Sequence, residues 1–542
     1  GAMEEASVVV LLFLIGEMLE GFATGRARKS IQGLTDLIPK TARVEREGRT
    51  VVVSADQLVV GSIILIRPGD RIPADGDITE GTSEINEASV TGESVPRLKE
   101  VGDRIFAGTI NTSNVLRARV TAASGDNTIA RIVRLVEEAQ ESKAPTERFI
   151  DSFSRYYTPC VILVAAVTAL LPPLAFGAEW NEWVYKGLAI LLIGCPCALV
   201  ISTPAAIAAG LSAGARRGLL LKGGAVLESL RRITVVALDK TGTLTAGTPK
   251  VTEVIASGRS QRDTLSLAAA LERESSHPLA LAIIERAEAD GVPISSVRDA
   301  GALPGEGLIG IIDNETVFLG SPQAAAQRAF LDDERQTMIT TLNGQGKTVS
   351  VLVAGREIAG LIAVRDEPRK DAVAGMAALK RAGIRAVMLT GDNRTTANAV
   401  AATLGIEARA ELLPQDKQRI VRDFQAEGQF VAKVGDGIND APALAAADIG
   451  IAMGGGADVA LETADAAILH ARVADIANMI GLSRSTMANI RQNITIALGL
   501  KGAFLVTTIL GLTGLWPAIL ADTGATVLVT ANAMRLLAWK AP

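Results

Sequence analysis

Three short apolar runs in this chain each end in an aspartate, and together they could support covalent phosphate chemistry. Residues 233–238 lead into Asp239-Lys240-Thr241-Gly242-Thr243-Leu244-Thr245. Ala386-Val387-Met388-Leu389 leads into Thr390-Gly391-Asp392, and Phe430-Val431-Ala432-Lys433-Val434 into Gly435-Asp436-Gly437-Ile438-Asn439-Asp440. Runs of this length and apolarity read as buried parallel strands, and open α/β sheets place their chemistry at the carboxyl ends of such strands. The small, hydroxylated residues after Asp239 let backbone N–H groups and hydroxyls surround a phosphate. A carboxylate in that setting can attack phosphorus and become an aspartyl-phosphate. Converging carboxylates would also form a site for Mg²⁺ and phosphate.

A second set of groups suits a soft or borderline metal. Cys195-Pro196-Cys197 lies in the middle of an apolar stretch. On a regular helix, residues two apart point roughly 200° from each other, so two such thiols could not share one ion. Pro196 lacks an N–H and clashes with the preceding turn, so it unwinds the helix and can aim both thiols inward. Thiolates select ions such as Zn²⁺, Cd²⁺, Pb²⁺ and Cu⁺. Lys501 and Asp522 lie in two further apolar stretches, where charged residues are costly and usually functional. Two thiolates and a carboxylate suit Zn²⁺, whereas Cu⁺ would favour thiolates with thioether. Lys501 would be the counter-ion that occupies Asp522 once the metal leaves, or the two form a buried pair that fixes helix packing. Glu17 and Glu20 sit in a first apolar stretch, with Glu17 preferred as a carboxylate that could accept the ion.

These groups require several domains and a membrane. The chain has 542 residues, 48% of them hydrophobic and only 3% aromatic, which is too long for one core. Mean hydropathy is +0.30, high for a soluble protein. The net charge of −5 gives no reason to expect nucleic acid. Cys160, Cys195 and Cys197 are an odd, sparse set in apolar stretches, which argues against a secreted disulfide framework. Five stretches are candidates to span a bilayer, near 6–24, 158–175, 183–209, 494–514 and 516–538. Their basic clusters (Arg26, Arg28 and Lys29; Arg148 and Arg155; Arg216, Arg217 and Lys222; Arg484 and Arg491; Arg535 and Lys540) fall on one side, which the positive-inside rule makes cytoplasmic. Residues 40–122 alternate apolar and polar with frequent Gly and Asp, as in a small β-rich domain. Residues 215–485 alternate strands and helices.

The seven-residue string from Asp239 resembles the phosphorylation signature of P-type ATPases, and Cys195-Pro196-Cys197 coincides with a signature of the heavy-metal members. Residues 493–501 and 522–528 look like the zinc/cadmium/lead-exporting subgroup; the Tyr-Asn and Met-x-x-Ser elements of copper pumps are not found at these places. The resemblance implies a multidomain membrane protein. It would combine an α-helical transmembrane bundle, a β-rich actuator domain, a haloacid-dehalogenase-like α/β phosphorylation domain and an inserted α+β nucleotide-binding domain. The expected boundaries are a transmembrane helix at 1–30, the actuator at 31–150 and a transmembrane hairpin with Cys-Pro-Cys at 151–214. The phosphorylation domain would occupy 215–246 and 365–485, the nucleotide-binding domain 247–364, and a second hairpin 486–542. Members of the subgroup carry three further helices ahead of the first one here, and often a metal-binding domain; both are expected to be missing from this sequence.

Roles carry over residue by residue. Asp239 would be the phosphorylated nucleophile, and Asp239, Asp436 and the Thr241 carbonyl would hold Mg²⁺. Thr390 and Lys417 would bind phosphoryl oxygens, with Asn439 and Asp440 completing the site. Thr91-Gly92-Glu93-Ser94 resembles the actuator loop, whose Glu93 would position and deprotonate a water. His277, in Ser275-Ser276-His277-Pro278-Leu279, would contact adenine, and Gly305 and Gly307 would let backbone approach ATP. Glu272 or Glu274 would assist, and Lys240 is grouped with the cofactor contacts. Soluble phosphatases of this fold carry a second aspartate two residues after the nucleophile. Thr241 stands there, so the phosphoenzyme should persist until Glu93 reaches it. The expected activity is ATP-driven export of Zn²⁺, Cd²⁺ and Pb²⁺ by a monomer in the lipid of the bacterial inner membrane. The alternatives are a copper pump and a membrane-tethered phosphatase or metal-binding fragment without transport.

Overall fold

The computed structural model describes residues 39–122 apart from 47–48 and 88–95, and residues 143–540 apart from 195, 274, 276–277, 304–305, 436–439, 455–462 and 510–514, with isolated positions 14, 18, 127 and 130. The chain divides into two compact units. One comprises residues 1–232, 465–469 and 478–542; the other comprises residues 233–464 and 470–477.

The first unit opens with short strands of alternating burial. They are β1 (Thr41–Arg46), β2 (Arg49–Ser54), β3 (Ile63–Ile66), β4 (Gly76–Glu80), β5 (Ser83–Asn86), β6 (Arg97–Lys99), β7 (Arg104–Ile105), β8 (Ile110–Asn111) and β9 (Leu116–Val120). Six of them form a sheet in the order β2-β1-β3-β9-β4-β7, and a smaller sheet has the order β6-β5-β8. Period-two alternation puts Val44, Ile64, Ile66, Ile78, Leu116 and Ala118 into one core. Strands β5 and β6 pair with Ser83 opposite Lys99 and Ile85 opposite Arg97. The segment carrying Thr91, Gly92 and Glu93 therefore connects two paired strands, although those three residues lie outside the described ones.

Two helices of this unit, Pro145–Phe176 and Ala198–Ala215, are long and apolar enough to cross a membrane; among the described residues no other helix meets that standard. The stretch 183–209 contains two helices, Trp180–Gly194 and Cys197–Ala215, with Pro196 at non-helical φ −80° and ψ 26° between them. The stretches 494–514 and 516–538 fall largely in the helices Ala474–Ile509 and Leu515–Met534. Of the stretch 6–24, only Leu14 and Met18 are described, and both are helical. A short strand, β10 (Leu219–Leu221), follows the third helix.

In the second unit, β11 (Val235–Asp239) is followed by an inserted antiparallel sheet. Its strands are β12 (Lys250–Ala256), β13 (Arg298–Leu303), β14 (Gly307–Ile312), β15 (Glu315–Gly320), β16 (Thr348–Ala354) and β17 (Glu357–Arg365), in the order β12-β17-β16-β15-β14-β13. Alternation splits this sheet's side chains between two helical layers. Val317, Leu319 and Leu352 pack with Leu265, Leu271 and Ile283, while Phe318, Val351 and Val353 pack with Ile339 and Leu342. Chain then returns to the first sheet through β18 (Arg385–Leu389), β19 (Glu407–Arg409), β20 (Val431–Gly435) and β21 (Ile449–Met453). Strand order there is β21-β20-β11-β18-β19, all parallel. Both faces of β11 and β20 are buried throughout, as a parallel sheet covered by helices on both sides requires. The last strand, β22 (Ala466–Ile468), returns to the first unit and pairs antiparallel with β10.

Gly307 and Gly320 face each other across β14 and β15. A Cβ on Gly307 would lie 2.2 Å from the Leu319 carbonyl oxygen, and one on Gly320 would lie 2.2 Å from the Glu306 carbonyl oxygen. Gly307 is thus required by strand pairing, whatever it does for a ligand. We expect Gly307→Ala to destabilise the inserted domain by about 1–3 kcal/mol, measured as a fall in its thermal unfolding midpoint.

Candidate functional site

Parallel register builds the site. Asp239 stands opposite Leu389, one residue before Thr390, and Leu238 stands opposite Val434, so Gly435 falls beside Asp239. The carboxyl ends of β11, β18 and β20 therefore meet at one edge, where Asp239, Thr390 and Asp440 are all buried. Asp436 and Asn439 lie outside the described residues.

Lys417 connects the carboxylates. Its Nζ donates to Asp239 Oδ1 and, at 2.9 Å, to Asp440 Oδ1. The helix Pro414–Ala426 supplies Lys417, starting with a proline in its first turn and a capping bond from the Leu413 N–H to Asp416 at 3.0 Å. A second lysine, Lys433, is fully buried on β20 and donates to Asp440 Oδ2 at 3.1 Å. Burial raises the Asp239 carboxyl above its ordinary range and the nearby Asp440 charge adds to this, against Lys433 and Lys417. Burial also acts to raise Asp440, but Lys433 and Lys417 outweigh it and hold that carboxyl below its usual range. For Lys417 burial acts downward, and the two carboxylates overcome it to raise the ammonium.

The loop after Asp239 is held open by outside groups. Lys240–Leu244 forms a wide turn in which Thr241 is extended and Gly242 has φ +69°. Arg369 donates to the Gly242 carbonyl at 2.6 Å and the Thr243 carbonyl at 3.0 Å. Its N–H bonds the Leu244 carbonyl at 2.9 Å. The Lys240 carbonyl accepts from Thr245. Asp366 accepts from the Thr245 hydroxyl and the Gly247 N–H, and burial raises its carboxyl. Lys240 itself is paired with Asp392, and the Asp392 N–H donates to the Thr390 hydroxyl at 3.1 Å.

A cleft of about 1380 Å³ in the same unit runs from Glu272, Gly307 and Gly320 to Gly391, Asp392 and Glu411. It ends at the Asp392 that pairs with Lys240, the residue after Asp239. Burial raises the Glu272 carboxyl, opposed by Ser275. His277, Gly305 and Glu274 lie outside the described residues, while their neighbours Ser275, Leu279 and Glu306 line the cleft.

In the first unit, Ala198, Ala497, Ala525 and Val529 form one apolar cluster. It joins the helix beginning at Cys197 to the two carboxy-terminal helices. Lys501 lies four residues after Ala497, and Asp522 three residues before Ala525, each about one helical turn away. A separate cavity of about 670 Å³ is lined by Cys160, Ile190, Gly194, Leu498 and Lys501. Cys195, Glu17 and Glu20 lie outside the described residues, as do the side chains of Cys197 and Asp522.

Reading the sequence alone missed four groups at the phosphate edge: Lys433, Asp366, Arg369 and Gly435. A lysine inside an otherwise apolar strand was the available signal for Lys433. Asp366 and Arg369 follow the inserted domain and carry no local mark. A Cβ on Gly435 would lie 2.2 Å from Asp440 Oδ2, a contact created only by the fold.

Comparison with known proteins agrees with this geometry. A haloacid dehalogenase-like hydrolase model matches residues 233–448, and a P-type ATPase actuator-domain model matches residues 36–137. The chain is 50% identical over 538 residues to a zinc/cadmium/lead-transporting P-type ATPase of Escherichia coli, covering 99% of this chain and 73% of the relative. It is 42% identical over 541 residues to a zinc-transporting ATPase of Synechocystis, covering 98% and 74%. A crystal structure of a zinc-transporting PIB-type ATPase in an E2.Pi state shares 49% identity, with a TM-score of 0.63, over 99% of this chain and 88% of that one.

Gly435→Ala should push the Asp440 carboxylate off its lysines. A misplacement of about 1 Å can cost about a hundredfold in rate. We expect phosphoenzyme formation to fall by that order, read by rapid-quench labelling, with nucleotide binding retained.

Proposed function

The chain belongs to the zinc-, cadmium- and lead-transporting branch of the P-type ATPases, and from that premise we propose how its residues divide the work. It is a membrane protein and an ATP-driven transporter of Zn²⁺, Cd²⁺ and Pb²⁺ that uses a haloacid dehalogenase-like domain. One observation carries the reading: a buried aspartate at a parallel-sheet edge, bonded to Lys417, followed two positions later by Thr241 rather than a second carboxylate.

ATP lies in the cleft bounded by Gly307 and Glu272, with His277 toward adenine and its terminal phosphate toward Asp239. An Asp239 carboxylate oxygen attacks the terminal phosphorus; the bond to the bridging oxygen breaks, and ADP leaves with that electron pair. Lys417 and the Thr390 hydroxyl bind the phosphoryl oxygens. Lys240 and Asp392 fix the loop beside them. Asn439 and Asp440 complete the site.

The residues present suit Mg²⁺, an oxygen-seeking ion. Of the carbonyls from Lys240 to Leu244, four accept the hydrogen bonds described above, and that of Thr241 accepts none among the described residues. The Thr243 hydroxyl is buried without a partner there. Asp239, Asp436 and the Thr241 carbonyl would hold the ion, which neutralises phosphate charge when bound.

Hydrolysis then needs a base from elsewhere. Glu93, beside Thr91 and Gly92, takes a proton from the water that attacks the aspartyl-phosphate, releasing phosphate and restoring Asp239. The transported ion is held by Cys195, Cys197 and Asp522, with Lys501 as internal counter-ion and Glu17 on the way out. The helix break at Pro196 supports this reading, because it frees backbone and side chains in the middle of an apolar span. We place the protein in a bacterial cell membrane as a monomer, with its nucleotide-handling domains in the cytoplasm.

The test is Zn²⁺-stimulated ATP hydrolysis by purified protein in lipid. Asp239→Asn should abolish phosphoenzyme and turnover. Cys195→Ala and Asp522→Ala should remove Zn²⁺ stimulation, and full stimulation in Asp522→Ala would refute the cargo site. Chelation of Mg²⁺ should suppress labelling of Asp239 even when Zn²⁺ is present.

A further inference from the structure

Lys433 has no part in the reaction just described, yet among the described residues it is the most completely buried charged side chain at the site. It stands in the centre of β20 with no exposed surface, between Ala432 and Val434. Lysine is almost never fully buried unless paired. Here the ammonium donates to the Val434 carbonyl at 2.9 Å and to Asp440 Oδ2 at 3.1 Å. In register it lies opposite Ala237, on the face that Asp239 and Gly435 occupy two residues further along their strands. Being enclosed, it has no route to a nucleotide, and the carboxylate it bonds directly is Asp440.

The charges explain why such a group is needed. Asp239 and Asp440 share Lys417, and without Lys433 two carboxylates would face one ammonium. With it the four groups balance. Moreover, each Asp440 oxygen has its own lysine: Oδ1 bonds Lys417 and Oδ2 bonds Lys433. When the terminal phosphate arrives, Lys417 must turn some of its N–H groups toward phosphoryl oxygens. Without Lys433, Asp440 would then lose its counter-charge while remaining buried, and a buried, uncompensated carboxylate is costly.

We propose that Lys433 is a positioning residue for phosphoryl transfer: it anchors Asp440 so that Lys417 can move onto the incoming phosphate. This rests on the phosphoenzyme reading above. Lys433 touches neither the reacting atoms nor the nucleotide cleft, so it changes the chemical step and leaves nucleotide affinity alone.

The experiment is rapid-quench labelling of the full chain in lipid from radiolabelled ATP with Mg²⁺ and Zn²⁺. Wild type, Lys433→Met, Asp440→Asn and the double variant are compared, with thermal melting of each. Methionine keeps the length and bulk of the lysine stem without its charge. Loss of one charge-assisted contact should slow phosphoenzyme formation by about ten- to a hundredfold. The ATP concentration for half-maximal labelling should not change. In the Asp440→Asn background the lysine has lost its partner, so the double variant should label no more slowly than Asp440→Asn and should melt higher. An unchanged rate in Lys433→Met overturns the proposal. So does a loss that merely follows the folded fraction, or a double variant slowed by the product of the single effects. If Lys433→Met does not fold, the comparison of Asp440→Asn with the double variant decides alone. Absence of label in the wild type overturns this inference together with the phosphoenzyme reading, whereas label in the wild type and equal label in Lys433→Met overturns this inference only.

Discussion

The bond from Lys417 to both Asp239 and Asp440 is the constraint on which the second unit depends. Two buried carboxylates at one sheet edge repel each other, and burial penalises the charge on each. The cluster is tolerable only because two ammonium groups reach it, Lys417 from a helix and Lys433 from within a strand. Its asymmetry matters chemically. Both lysines hold the Asp440 carboxyl below its usual range, while burial raises that of Asp239.

That arrangement demands backbone placed to within a fraction of an ångström. Gly435 lets Asp440 close on the strand end, with no room for a Cβ. Arg369 and Asp366 do the corresponding work for the nucleophile loop, one donating to its carbonyls and the other accepting from Thr245 and Gly247. Both residues follow the inserted nucleotide domain, immediately after β17. The chain returning from the nucleotide domain is therefore the chain that fixes the loop carrying Asp239, so the two domains share a structural element and not merely a boundary.

Much of this was legible in the sequence because its signals are local. Apolar runs ending in aspartate marked the parallel strands, and Pro196 marked the helix break. The reading went no further where a role depends on the fold. Lys433 resembles a flaw in an apolar strand until Asp440 is seen to fold back over it. Gly307 reads as a loop glycine for nucleotide approach, whereas its pairing with Gly320 already excludes a side chain. Lys240 reads as a cofactor contact, and the fold pairs its ammonium with Asp392. In each case the deciding partner is distant in sequence, and no periodicity or propensity reports it.

The position of Thr241 connects this chemistry to transport. A carboxylate there would supply a local acid/base, and the phosphoenzyme would hydrolyse wherever the cargo was. A threonine contributes a carbonyl and a hydroxyl but no base near neutral pH. In the proposed mechanism the aspartyl-phosphate then waits for Glu93, which belongs to the same stretch of chain as Cys195 and Cys197, residues 1–232. A reaction that needs two units for completion can be made to depend on what one of them holds. The substitution of a single side chain two residues after the nucleophile thus separates a phosphatase, which spends its intermediate at once, from a pump, which must keep it until the ion has moved.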